Sequence, residues 1–464
     1  MGTRNRWLII SVGLGMLLNP LNSSMIAVAI PRLQKEFQLD FTVISWIIFA
    51  FYIASTISNP VVGKASDIWG RKKVFLAGLL VALAASLGAP FAPNFSSLIF
   101  LRVVQSIGTS MLISVGMAII RIHVHEKQGT AVSMLNIFQS GAAAIGPFVG
   151  GVLIYVWDWS AIFFINIPFV VASFLMAWKM IPSEEMPASV IRHMSLRKWW
   201  SVMDGTGIML FTAGLVPLLI SLLSMKAASH ISLTHIMIGL AGLIAIGAFI
   251  RHELKVTAPF IPLRTLAKYP AITWINIEFI VVNLLFYTLF FGIPSYLQVV
   301  RHVSEFQTGI LMLTLGLCSL AASPLAGRWI DKSGPRPALL MAAILMVSGS
   351  LWLANLNEDS PIVSVCVALA AFGFSNGLNG VGMQAALFRS SPKEIIGVAS
   401  GLFSSSRNLG AILSSLLIGI MMGGQFSYTG FHLLGIALTI IALLLLYMSW
   451  TRRDSGQYPQ SRYH

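Results

Sequence analysis

The chain has 464 residues, of which 56% are hydrophobic and 10% charged, and carries a formal net charge of +14. Its mean hydropathy is +0.82. A soluble core of this length cannot hide that much apolar surface, so a lipid bilayer is the expected solvent. Cys318 and Cys366 fall in apolar runs and form neither a disulfide nor a metal framework, and His123 and His125 lack carboxylate or thiol company. No cofactor or metal is expected.

Taken in chain order, apolar runs of spanning length lie at 7–30, 42–62, 74–92, 96–119, 130–156, 160–179 and 204–224. They continue at 232–250, 271–299, 306–326, 338–356, 361–387, 396–422 and 430–450, which predicts fourteen membrane helices. The first run follows Arg4 and Arg6 without a small-residue cleavage site, so a cleaved leader does not fit. With the N-terminus inside, the inner segments hold 24 Lys and Arg, against 4 outside (Arg32, Lys35, Lys226 and Arg301). Positive charge gathers on the cytoplasmic side, so both termini are expected there. The same bias accounts for the net charge without a nucleic-acid partner.

Between the second and third runs lies GKASDIWGRKK: Gly63, Asp67, Gly70, then Arg71, Lys72 and Lys73. The frame recurs at Gly327, Asp331, Gly334 and Arg336. A charged loop duplicated in a hydrophobic chain predicts two related halves. The expected organisation is a six-helix bundle over 1–180, a cytoplasmic linker over 181–203 and two inserted helices over 204–251. A cytoplasmic loop over 252–270, a second six-helix bundle over 271–450 and a tail over 451–464 complete it. Trp199 and Trp200 at the end of the linker suit the lipid interface.

Several segments in this order resemble the major facilitator superfamily, and within it the fourteen-helix drug:proton antiporter branch of bacteria. Gly63–Lys73 is similar to the family's loop between helices 2 and 3, and Leu101–Gln105 to its arginine motif on helix 4, with Ser106 in place of the usual glycine. Ala142–Gly151 resembles the antiporter signature on helix 5, Trp157–Pro168 the junction of helices 5 and 6, and Arg407 in SSSRNLG the arginine of helix 13. One departure stands out: LNSSMIAVAIP on helix 1 resembles a motif that usually begins Leu-Asp, and here Asn22 replaces the acid. The resemblance implies an all-α polytopic fold of two six-helix bundles plus two central helices. It also implies proton-coupled export from the cell membrane.

The residues themselves point to four places. Asp67 and Asp331 beside Arg71 and Arg336 read either as a cytoplasmic latch between states or as charges that fix topology. Gly146, Pro147, Gly150 and Gly151 remove side-chain bulk from the fifth helix, for close packing or for bending. Glu278 is the one acid well inside an apolar run, so it is a proton-coupling candidate or an acid in a wet vestibule. Arg102 and Arg407 are the deep bases, and Gln105 lies one turn from Arg102 as a polar partner. Arg102 reads as a clamp on neighbouring helices or, by the resemblance, as part of proton release.

Asn22, Gln105, Asn136, Gln139, Asn276, Asn283, Tyr287 and Arg407 are the residues expected to line a substrate cavity. Asn276 and Asn283 are seven apart and share a face, and Phe286, Tyr287, Phe290, Phe291 and Tyr296 make the ninth run rich in rings. Such lining suits a lipophilic or amphipathic compound. One deep acid and two deep arginines argue against dications. The expected partners are small molecules, protons and the bilayer, with the chain acting as a monomer. An exporter of one specific compound is the alternative. An embedded enzyme would need a catalytic cluster, a channel a charged ring and an ATP-driven pump a phosphate loop, and the sequence displays none of these.

Overall fold

The computed structural model describes residues 3–124, 128–182, 200, 204–227, 232–257, 259–261, 263–357, 360–391, 396–422 and 427–451. Fourteen helices are long and apolar enough to cross a membrane. They are α1 (Thr3–Phe37, with a break at Leu17), α2 (Trp46–Trp69), α3 (Arg71–Gly88), α4 (Phe95–His123) and α5 (Gln128–Trp157). There follow α6 (Asn166–Met180), α7 (Gly205–Ala227), α8 (Leu233–Glu253), α9 (Pro270–Ser295) and α10 (Glu305–Ser333). The last four are α11 (Pro335–Ala354), α12 (Val363–Ser390), α13 (Ile396–Met422) and α14 (Tyr428–Thr451). No strand occurs among the described residues. This follows from the solvent: a helix satisfies every backbone N–H and C=O within itself, which hydrocarbon demands.

The chain forms two compact units. The first holds Met1–Ile208 with Val303–Ile310, and the second Met209–His302 with Leu311–His464. In the first unit α1 packs on α4, α5 and α6, α3 on α4 and α6, and α2 on α4. In the second, α9 packs on α12, α13 and α14, and α11 on α12 and α14. Helices α1–α6 thus pair in the same order as α9–α14, and the second unit holds in addition α7, from Met209 on, and α8. In the most apolar window of α8 only 11% is buried, and Leu233, Met237, Leu240 and Ile244 stand exposed, as a helix facing lipid requires.

The duplicated charged segment is not the loop that its glycines and charges predict. Helix α2 runs on to Trp69 and α3 begins at Arg71, so the turn is Gly70 alone, at φ 89°. Gly334 does the same between α10 and α11 at φ 76°. Both occupy the left-handed region that an L side chain avoids. Gly63 and Gly327 lie inside helices, with open space where a Cβ would stand, so neither serves a turn or a close approach. Of the expected linker, residues 183–199 and 201–203, Trp199 among them, lie outside the described residues, while Trp200 is exposed.

Candidate functional site

The first unit buries a cation. Arg102 on α4 is 1% exposed, and its Nη1 donates to Gln105 Oε1 one turn on, at 2.6 Å. Its guanidinium lies 4.3 Å above the ring centroid of Phe51 on α2, a favourable position for a desolvated cation. No carboxylate pairs with Arg102 among the described residues. The charge is held by neutral groups instead. Gln105 Nε2 donates to Asn22 Oδ1 (3.1 Å) on α1 and to Ser86 Oγ (3.0 Å) on α3. Asn22 is the hub: its Oδ1 also accepts from Asn166 Nδ2 at 2.8 Å, and its Nδ2 donates to Asn166 Oδ1 and to the Leu18 carbonyl. Four helices, α1, α3, α4 and α6, meet in this one network.

Asn22 and Gln105, expected to line a cavity, are therefore consumed by helix–helix contacts. They are 3% and 1% exposed, because a buried amide must find partners for both of its ends. Asn166 was missed as a site residue. Its signal was present, since it belongs to the quoted junction WDWSAIFFINIP. The same junction supplies Asp158, which accepts from Arg32 Nε (2.8 Å) and Nη2 (2.6 Å) on α1 and caps the Trp159 N–H at 2.6 Å. Glu36 lies 3.2 Å from the same guanidinium. Burial pushes the Asp158 carboxyl up, but the bonds from Arg32 and Trp159 and the charge of Arg32 outweigh it and hold it below its ordinary value.

A second polar seam joins α2 and α4. Ser106 donates to the Phe51 carbonyl (2.6 Å), Ser110 to Ser55 Oγ (3.2 Å) and Ser114 to the Asn59 carbonyl (3.1 Å). Ser106, where the family usually has glycine, thus begins a ladder. On α5, helix continues through Pro147. A Cβ on Gly146 would strike Ser24 of α1, and one on Gly150 would come within 3.1 Å of the Met25 backbone. A Cβ on Gly151 would strike the carbonyl of Glu305, which belongs to the same unit. These glycines are where helices touch.

The second unit buries an acid. Glu278 on α9 is 0% exposed. The Ser449 hydroxyl of α14 donates to its Oε1. Asn276, two residues away and so on the opposite side of the helix, accepts from Ser406 Oγ of α13 at 2.8 Å. Asn283 is 6% exposed, with its Nδ2 on the Phe279 carbonyl at 2.7 Å, and a Cβ on Gly410 of α13 would meet it. The two asparagines serve the α9–α13 contact, as Asn22 and Gln105 serve contacts in the first unit. Tyr287 is half-buried and stacks on Phe291 at 5.6 Å, and Phe279 stacks on Phe403 at 3.7 Å.

The remaining candidates scatter. Arg407 and Gln139 are half-buried on α13 and α5, Asp331 is exposed on α10, and Arg71 is half-buried at the start of α3. Arg336 donates from Nη2 to the Trp450 carbonyl at 3.0 Å. The side chains of Asp67 and Asn136 lie outside the described residues. Among the described residues no cluster of His, Cys, Asp or Glu could hold a metal ion.

Two six-helix bundles with buried polar centres, plus two lipid-facing helices, define a polytopic α-helical transporter. The family model of the Major Facilitator Superfamily matches residues 12–317 and 279–462, and the chain belongs to that superfamily. It is 39% identical over 93% of its length to an uncharacterized transporter of the superfamily, YwoD of Bacillus subtilis, covering 93% of that protein. It is 28% identical to a multidrug resistance protein B homolog of Mycobacterium tuberculosis, with 85% of this chain and 73% of that one aligned. It is 24% identical to a tetracenomycin C resistance and export protein of Streptomyces glaucescens, with 90% and 75% aligned. Among solved structures, a bacterial homolog of the human lysosomal transporter Spinster matches with a TM-score of 0.67 at 12% identity, covering 97% of each chain. That likeness is one of fold.

Proposed function

We propose that the chain is a proton-coupled antiporter that exports small lipophilic or amphipathic drug-like compounds by alternating access. It would sit in the bacterial cell membrane with both termini cytoplasmic. The observation that carries the coupling is Glu278, a fully buried carboxylate on a membrane helix. Acids inside membrane helices mark ion pathways, and a hydroxyl partner suits a group that changes its protonation. Ser449 can donate to the carboxylate or accept from the carboxylic acid. One proton moving inward gains about 2.3 kcal/mol per 100 mV. Glu253, also 0% exposed, ends α8 rather than lying inside a span, so Glu278 as the one coupling acid implies about one proton per cycle.

The multidrug and antibiotic-export relatives support a drug-like cargo. Arg102 without a described acid and Asn22 in place of one support neutral, anionic or singly cationic cargo over dications. Export of one specific compound is the second reading, favoured by the relative that exports tetracenomycin C. The turns at Gly70 and Gly334, with Asp67, Arg71, Asp331 and Arg336, form the proposed cytoplasmic gate.

Proteoliposomes with an imposed pH gradient test the coupling. Glu278→Gln is expected to abolish gradient-driven transport of lipophilic dyes and antibiotics. Full retention overturns the assignment, and export of a divalent cationic dye overturns the charge reading.

A further inference from the structure

The last turn of α14, which ends at Thr451, carries two adjacent residues with different tasks. The hydroxyl of Ser449, itself 3% exposed, reaches Glu278 on α9. The carbonyl of Trp450 accepts from Arg336 Nη2 at 3.0 Å. Arg336 stands on the first turn of α11, directly after the positive-φ turn at Gly334. A helix's last carbonyls have no partner within the helix, and a cation is favoured there. Arg336 therefore holds the same last turn of α14 that positions the hydroxyl on the buried acid. Gate turn, helix end and carboxylate form one connected series within the second unit.

We propose that Ser449 is the positioning residue of Glu278, and that the Arg336–Trp450 bond ties that position to the turn at Gly334. This rests on the reading of Glu278 as the coupling acid. The turn and the acid then act as one element: a shift of α11 against α14 moves the hydroxyl relative to Glu278, and loss of that hydroxyl alters the carboxyl without touching the gate. The ionisable groups on the other elements packed against α9 are Arg407 on α13, Arg389 and Cys366 on α12, and Arg264 and Lys268 on the short helix Leu263–Lys268. Beside Ser449, α14 also carries Tyr428, His432 and Tyr447, and Tyr296 follows α9. Asn276, the α9 neighbour bonded to α13, lies on the opposite side from Glu278.

The test uses the full-length purified protein and needs no substrate. A pH-difference infrared spectrum should show a protonated-carboxyl band that Glu278→Gln removes. In Ser449→Ala that band is expected to move to higher wavenumber, as a carboxyl losing a hydrogen bond does, and to return in Ser449→Thr. Arg336→Met is expected to broaden or shift it although the hydroxyl remains. In proteoliposomes, Ser449→Ala should cut pH-gradient-driven ethidium transport about tenfold (about 1.4 kcal/mol) while counterflow without a gradient stays within about twofold. A band unmoved by Ser449→Ala, with Glu278→Gln still removing it, overturns this inference and leaves the coupling acid standing. A spectrum that Glu278→Gln does not change overturns both. Equal loss of driven transport and counterflow, without rescue by Ser449→Thr, reduces Ser449 to a packing residue and also overturns the inference.

Discussion

The two bundles share an order of helix packing but bury opposite charges in different ways. In the first, Arg102 is enclosed by a network of amides and hydroxyls drawn from four helices, with Asn22 at its centre making bonds at both ends of its amide. In the second, Glu278 meets a serine on the last turn of another helix. In the first arrangement each amide end already has a partner, so changing it means breaking several bonds at once. The second includes a hydroxyl that can serve either protonation state. One fold repeated twice thus supports a fixed centre and an adjustable one, and the difference lies in small polar residues rather than in backbone.

The largest expected effect tests the fixed centre. Asn22→Ala strands Gln105 and Asn166 and should lower stability by about 1–3 kcal/mol, read as thermal unfolding in detergent. Asn22→Asp keeps the acceptor for Gln105 and Asn166 but turns the donor end, which serves the Leu18 carbonyl and Asn166 Oδ1, into a second acceptor oxygen. Its loss at neutral pH should be at least as large as that of Asn22→Ala, and full stability in Asn22→Asp would break the contrast. Next come the turns. Gly70→Ala and Gly334→Ala should each cost about 1–2 kcal/mol from positive φ. Gly63→Ala and Gly327→Ala should instead gain about 0.5–1 kcal/mol, since those sites are helical with open space. A loss at Gly63 matching that at Gly70 would contradict the single-residue turn.

The smallest effect lies at the rim of the first bundle. Asp158 is held below its ordinary pKa, so its contribution is present above the unfolded value of about 3.9 and is lost as pH falls through the lower folded value. Asp158→Asn should therefore lower stability by about 0.2–1 kcal/mol near neutral pH. The two proteins should converge below about pH 4, and high salt should narrow the gap. A difference that persists in acid would mean that Asp158 acts by packing rather than charge.

The fourteen spans were legible because hydrocarbon leaves a chain few options, and Arg102 and Glu278 because lone charges are conspicuous among apolar residues. Asn166 and Ser449 were not. Small polar residues are common in membrane helices and usually bond their own preceding turn, as Ser11 does to Leu8 and Ser45 to Phe41. Nothing local separates those from Asn166 and Ser449, which reach another helix. Glycine misled in a different way: Gly63 and Gly70 look alike in sequence, but glycine permits a turn without requiring one, and only the second makes it. The amides of α9 announced a polar face correctly, yet polarity alone did not say whether it met cargo or another helix.

The serine ladder between α2 and α4 has a mechanical consequence. Ser106, Ser110 and Ser114 repeat every four residues, as do their partners Phe51, Ser55 and Asn59. Sliding one helix along the other by less than a turn, about 5.4 Å, would leave donors between acceptors, and sliding by a full turn would leave one rung empty. The pair is therefore notched. Whatever displacement accompanies transport, α2 and α4 should travel together as one stiff strut, with bending left to the helices around them.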